Sequence, residues 1–388
     1  MTGSDPLLEW RKEFPILEKT TYLISHSLGA MPRRTADALQ EFAGTWADRG
    51  IRAWEEKWWG MAVNVGDLVG AIIGARPGEV VMHQNVSICQ SIVASCFDWR
   101  GPRNKVVTDG LNFPSNDYIY HGLERQGARV CRVASPDGIT LPVELMLNAI
   151  DEQTQLVSVS HVSFRSSFVH DLAAISQRAR DVGALIIADL YQSAGVLPVD
   201  VHAAGLDFAT GGSVKWLCGG PGAGYLYVRS DLRPQLRPAA TGWMAHRHPF
   251  GFEPGPIDFA DDAFRLLNGT PNIPGLYSAR SGFEIINEIG VDAIRAKSLR
   301  QTQYLIDLAD EAGFVVRSCR DARTRGGVVV LDVPNGNEVT RELMRSEVLV
   351  DYRPDAGIRI APHFYTTDDE IERAMNTIRS IVARTTAA

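Results

Sequence analysis

The sequence has no C-x-x-C pair, no basic run and no long apolar stretch. Five cysteines, Cys89, Cys96, Cys131, Cys218 and Cys319, are scattered along 388 residues. An odd, dispersed set excludes a disulfide framework and a structural zinc site, so no metal centre is expected. These cysteines read as small buried hydrophobes. No run reaches the roughly 18 apolar residues that a membrane span needs. The start, MTGSDPLLEWRKEF, lacks a basic segment followed by an apolar one, so no secretory signal and no membrane partner are expected. Lys plus Arg number 39 against 46 Asp plus Glu, a net charge of −7. The basic residues are interspersed with acidic ones, which argues against a nucleic-acid partner. Internal repeats and low-complexity tracts are also missing. What remains is an ordinary globular composition, 45% hydrophobic and 22% charged, expected of a soluble, cytoplasmic enzyme. The length allows two or three domains.

Between about 62 and 230, apolar runs of strand length alternate with helix-like segments. Strands are expected at Val80–Met82, Lys105–Thr108, Ala128–Val133, Leu156–His161, Ala184–Ala188, Ala209–Thr210 and Tyr225–Val228. Helices are expected at Ile88–Phe97, near Asp117–Gln126 and at Asp171–Val182. Apolar strands alternating with helices mean an α/β sheet, mostly parallel. Residues 231–275, rich in Pro, Gly and aromatics, read as a long loop-dominated connection, and such loops tend to be functional. A helix-rich stretch at 276–312 follows. The remainder reads as strands at Gly327–Asp332, Val348–Tyr352 and Gly357–Ala361, a helix near Glu338–Ser346 and a last helix from Asp368, capped at Thr366–Glu370. Four tryptophans, Trp46, Trp54, Trp58 and Trp59, cluster near the N-terminus and suggest packing or an interface.

Two residues carry the chemistry. The buried strand in ALIIADLYQSAG ends in Asp189, and ligand-binding groups collect at the carboxyl ends of parallel strands. A carboxylate there is costly to desolvate without a cationic partner. Lys215 follows in GGSVKWLCGGPGAGYLYV, among apolar neighbours that should lower its pKa, as a Schiff-base amine requires. The pair suits pyridoxal phosphate: a lysine to hold the aldehyde and an aspartate to keep the ring nitrogen protonated. The glycine run 219–224 fails the dinucleotide template, because Tyr225 takes the third glycine position and a strand, not a helix, follows.

ADLYQSAG and SVKWLCGGPGAGYLYV resemble the fold-type-I pyridoxal phosphate enzymes of the class V aminotransferase superfamily. TYLISHSLGAMP (21–32), VGDLVGAIIGARPGEVV (65–81), NFPSNDY (112–118), GWMAH (242–246), NGT (268–270) and GIRIAPHFY (357–365) are most similar to the kynureninase branch. The resemblance runs over nearly the whole chain. It implies an N-terminal segment (1–49) packing with the small domain, a cofactor-binding large domain (50–255) with a mostly parallel sheet, and a smaller α+β domain (256–388). It further implies Phe113 stacked on the pyridine ring, Asn85, Val86 and Ser87 cradling phosphate at a helix start, and Ser213 adding a phosphate hydrogen bond. Gln192 would reach the ring's 3′ oxygen and Asn116 would stand where Asp is usual. Trp243 and Thr270 would reach the phosphate of the neighbouring subunit, which implies a homodimer with shared sites. Arg359 would clamp the substrate's α-carboxylate, a task its planar fork suits. His26 is either a substrate contact or a turn residue, and Arg165 either a substrate contact or a surface charge.

The resemblance implies hydrolysis of a Cβ–Cγ bond in an amino acid bearing a γ-carbonyl, with release of alanine. Some positions depart from the branch. Val214 replaces the Tyr that precedes the lysine, Phe164-Arg165-Ser166-Ser167 replaces Tyr-Lys-Thr-Gly, and Gln192 replaces His. These keep β-lyase, aminotransferase and epimerase chemistry open. Desulfurase chemistry is disfavoured, since no cysteine lies between Val333 and Arg359.

Overall fold

The computed structural model describes residues 5–386. After two short 3-10 turns come β1 (Thr21–Tyr22), α1 (Arg33–Arg49) and α2 (Met61–Ile73). The α/β run follows: β2 (Val80–His83), α3 (Val86–Ala94), β3 (Lys105–Asp109), α4 (Pro114–Gly122), β4 (Arg129–Val133), α5 (Val143–Ala149), β5 (Thr154–Ser160), α6 (Leu172–Asp181), β6 (Leu185–Asp189), β7 (Phe208–Gly212) and β8 (Gly224–Val228). The C-terminal part holds α7 (Ile273–Ile289), α8 (Val291–Glu311), β9 (Val315–Val316), β10 (Val329–Asp332), α9 (Gly336–Arg345), β11 (Val348–Leu349), β12 (Asp351–Arg353), β13 (Gly357–Ile360) and α10 (Asp368–Thr386).

Seven strands form one sheet in the order β2-β8-β7-β6-β5-β3-β4. The pairs β3–β4, β3–β5, β5–β6 and β6–β7 are parallel, and β8 runs antiparallel to both its neighbours. The apolar runs read from the sequence are these strands, shifted by at most two residues at their ends. Central strands are buried on both faces, which is why LIIAD and FATGG show no alternation. One hydrophobic cluster surrounds this sheet and takes in Val106, Val157, Ile187 and Leu226, together with Phe283 and Ile286 of α7. A second joins Leu331, Ile358 and Ile360 to Leu305 of α8 and to Ile371, Met375 and Ile378 of α10. Leu23 belongs to this second cluster, and β1 pairs in parallel with β11.

The helix-rich stretch at 276–312 is as expected and consists of two helices, because Gly290 takes a positive, left-handed φ that ends α7. Several details differ from the sequence reading. The stretch Val348–Tyr352 is two strands. β11 pairs with β1, and after Val350 the chain switches to pair antiparallel with β13. Helix α5 carries no clear sequence signal, since its seven residues give too few turns for a period. The expected cap of α10 is a reciprocal box. Thr367 Oγ1 accepts from the Glu370 N–H at 3.2 Å, and a Glu370 carboxylate oxygen accepts from the Thr367 N–H at 2.8 Å. Residues 231–272 carry only 3-10 turns among the described elements. No helix of the described residues is long and apolar enough to cross a membrane.

Candidate active site at the carboxyl edge of the sheet

A cavity of about 260 Å³ is lined by Asp189, Lys215 and Ser160 with residues of α3 and α4. It lies where the parallel strands end, the usual place for a ligand in such a sheet. Asp189 closes β6 and Ser160 closes β5. Lys215 lies in the turn after β7. Asn85, Val86 and Ser87 bring the start of α3 to the cavity wall. The Asn85 side chain caps the helix by accepting from the Ile88 N–H at 3.0 Å, the usual task of Asn at this position. Gly224 allows this approach, since a Cβ there would stand 2.7 Å from the Asn85 backbone.

The electrostatics suit an amine and a carboxylate awaiting partners. Burial lowers the Lys215 pKa to about 8, with Arg359 and Arg353 pushing the same way against the attraction of Asp189. Burial raises Asp189 above the ordinary carboxylate range, opposed by hydrogen bonds from the Tyr191 N–H and the Asn116 amide. Both donors sit at 2.9 Å and both are neutral. Asn116 also donates to Asn112 Oδ1 at 2.9 Å, while its own Oδ1 is buried without a partner.

Most of the predicted site residues converge here. Phe113 lines the cavity with its ring centroid 5.8 Å from Lys215 Nζ and its edge against Phe164. Gln192 lines it too, but both ends of its amide are engaged: Nε2 donates to His26 O at 3.1 Å and Oε1 accepts from Trp216 Nε1 at 3.1 Å. Ser213 is fully buried just behind the wall and donates its hydroxyl to Gly220 O.

Arg359 and His26 meet around Asp351. Arg359 donates through Nε and Nη2 to the two Asp351 oxygens, at 2.8 and 2.6 Å, through Nη1 to Phe164 O and through Nη2 to Ser27 Oγ. His26 Nε2 lies 3.0 Å from Asp351, and Ser27 Oγ donates to it at 2.7 Å. Burial would raise Asp351, but His26 and Arg359 outweigh it and hold the group well below the usual carboxylate range. Burial lowers His26 to about 4. Arg165 is exposed, its guanidinium 5.6 Å from the Phe164 ring centroid.

Trp243 and Thr270 lie apart from this cavity. They line a separate pocket of about 770 Å³ with Ile51, Trp54, Trp59 and Phe250. Rings pack there in a chain, Trp59 to Trp243 at 5.4 Å and Trp59 to Phe250 at 4.8 Å.

Three groups escape the sequence reading. Tyr191 lines the cavity, with its ring centroid 4.2 Å from Lys215 Nζ. Ser160 lines it and donates to Asn112 Oδ1 at 2.7 Å. Asp351 holds Arg359. Tyr191 is the most accessible of these, standing two residues after Asp189 in the motif that carries the cofactor signal.

The class-V aminotransferase family model matches residues 21–373. A kynureninase of Pseudomonas fluorescens is 32% identical over 404 residues, covering 100% of this chain and 95% of that one. A kynureninase of Burkholderia pseudomallei (strain K96243) is 31% identical, covering 97% and 93%. Among solved structures, a cysteine desulfurase of Thermococcus onnurineus NA1 superposes with a TM-score of 0.87 at 22% identity, covering 98% and 99%. A C-DES mutant, K223A, with glycine covalently linked to its PLP cofactor, superposes at 0.85 and 20% identity, covering 95% and 98%. These structural likenesses establish the fold-type-I α/β architecture. The chain belongs to the class-V aminotransferase family, as a kynureninase-like member.

Proposed function

We propose that the protein is a pyridoxal-phosphate-dependent hydrolase that cleaves the Cβ–Cγ bond of an amino acid bearing a γ-carbonyl, giving a carboxylic acid and alanine. One observation carries this: a buried amine of lowered pKa and a buried carboxylate with only neutral donors face one cavity in a chain similar to kynureninases over its full length. The residues present fit the cofactor. Asp189 gains from a cationic ring nitrogen the partner that its neutral donors cannot be. Asn85, Val86 and Ser87 offer first-turn N–H groups to a phosphate, and Phe113 offers a ring face.

When bound, pyridoxal phosphate supplies an electron sink for bonds at the substrate's Cα and Cβ. Lys215 Nζ, neutral over part of the physiological range, is suited to take the Cα proton. Asp189 holds the charge that keeps the ring nitrogen protonated, and Asn116 and the Tyr191 N–H orient its carboxylate. Arg359 receives the α-carboxylate. Its remaining free donor capacity is small, so Asp351 and the carboxylate must share the guanidinium. Ser213 supports the phosphate end by fixing the Gly220 turn, Gln192 lies toward the ring's 3′ oxygen, and Arg165 lies near the substrate entrance. Trp243 and Thr270 serve the neighbouring protomer's phosphate, which makes the active form a homodimer. Five free cysteines suit a reducing compartment such as the cytoplasm.

The test is incubation of purified protein with kynurenine, 3-hydroxykynurenine, cysteine, and an amino donor with a keto acid. Anthranilate or its hydroxyl analogue together with alanine supports the reading. Silence with both kynurenines refutes it and favours β-lyase, aminotransferase or epimerase chemistry, to which Val214, Phe164 and Gln192 point.

A further inference from the structure

Tyr191 stands in the turn that follows β6, and Gly212 of β7 leaves the space its ring and hydroxyl occupy. Gly212 of β7 and Gly224 of β8 are directly opposite each other in an antiparallel pair. Substituents on such partners project to the same face of the sheet, about 5 Å apart. A Cβ on Gly212 would stand 2.5 Å from the Tyr191 hydroxyl oxygen, and one on Gly224 would stand 2.7 Å from the Asn85 backbone. The Tyr191 hydroxyl and the start of α3 therefore approach the same face of the sheet, on neighbouring strands, at the end of the cavity where α3 begins. Its ring centroid lies 4.2 Å from Lys215 Nζ.

Three further facts bear on what the hydroxyl does. Among the described residues no protein group hydrogen-bonds it, although the side chain lines the cavity. Lys215 is the one cation among the lining residues. Val214, next to it, has no side-chain donor to offer. An anionic ligand at this end must therefore be held by helix N–H groups and by neutral hydroxyls. Burial, with Asp189 adding to it, pushes the phenol well above its ordinary pKa, so it keeps its proton.

We propose that Tyr191 is a further ligand-binding residue, whose hydroxyl donates a hydrogen bond to the phosphate of the bound cofactor. This rests on the pyridoxal phosphate reading above. A hydrogen bond to a charged oxygen changes affinity by roughly 10- to 100-fold.

The test compares wild type with Tyr191→Phe, which keeps the ring and removes only the hydroxyl. Each is stripped of cofactor, and binding of pyridoxal phosphate and of pyridoxal, which lacks the phosphate, is titrated by tryptophan fluorescence. Tyr191→Phe should weaken pyridoxal phosphate binding about tenfold or more and leave pyridoxal binding within about twofold. The 31P resonance of bound cofactor should also shift in the variant. Equal weakening for both ligands would mean the hydroxyl only supports the fold, and would overturn the proposal. Unchanged binding of both would overturn it as well. Failure of the wild type to bind pyridoxal phosphate would instead defeat the cofactor reading itself, and this inference with it.

Discussion

Lowering the pH should unfold this protein early, and the cause is a set of buried neutral histidines. His26, His83 and His161 are each lowered to about 4, and His170 and His363 to about 3, in every case chiefly by burial. As pH falls below about 6.5 the unfolded chain protonates all five, while the folded chain does not. Each histidine thus withdraws stability between pH 6.5 and its folded value, about 3 kcal/mol or more in full. Asp109 acts in the opposite sense. Burial raises it to about 7, so the folded state takes its proton first and gains stability as pH falls through 7. Five protons bound by the unfolded state against one bound by the folded state leave about four. The slope near pH 5 is then about 5 kcal/mol per pH unit, and the upward shifts of Asp189 and Asp207 trim it. Against a total stability of about 5–15 kcal/mol, this places acid unfolding between about pH 5.5, at the low end of that range, and about pH 4 or below at the high end. Guanidinium titrations at half-unit steps from pH 8 to 5, followed by far-UV circular dichroism, measure the slope. His83→Gln removes one titrating site and should flatten the slope by about 1.4 kcal/mol per pH unit. A stability constant between pH 7 and 5.5, or an unchanged slope in the variant, would refute the reasoning.

Other expectations concern the site. Arg359→Lys replaces a four-bond fork by a point charge and should raise KM for α-amino acid substrates about 10- to 100-fold, with cofactor affinity little changed; steady-state kinetics and cofactor titration separate the two. Asp351→Ala leaves Arg359 buried without its counter-charge and should cost about 3–5 kcal/mol of stability by denaturant titration. Asn116→Ala leaves Asp189 one neutral donor fewer and should weaken cofactor retention about tenfold by equilibrium dialysis. Lys215→Ala and Trp243→Ala are each expected to be inactive alone. Mixed and re-annealed, they should regain activity, because one site of the hybrid dimer then draws an intact lysine and an intact tryptophan from different chains.

The chemistry of the site is legible in the sequence because it lies on short, local patterns. Asp189 ends an unbroken apolar run and Lys215 sits in an apolar turn, and a parallel sheet places both at one edge. The start of α3 is readable for the same reason, as a capping Asn85 after a strand. Asp351 is not readable. Its pairing with Arg359 follows from the cross-strand register of β12 with β13, and an aspartate in a polar hairpin looks like any other. Tyr191 escapes notice because its meaning depends on which way a turn residue points, and the space it points into is left by Gly212 on a later strand. The aromatic pocket of Trp59, Trp243 and Phe250 joins segments far apart in the chain, and neither segment carries a period that would betray the other.

The central claim is that Lys215 holds pyridoxal phosphate for cleavage next to a γ-carbonyl. The most direct measurement adds kynurenine to the cofactor-loaded protein and follows the visible absorbance and the products together, with Lys215→Ala in parallel. The account predicts a lysine-dependent cofactor band in the wild type, its absence in the variant, and equal amounts of anthranilate and alanine from the wild type alone. The same band in Lys215→Ala, or turnover of kynurenine to any other pair of products, would contradict it.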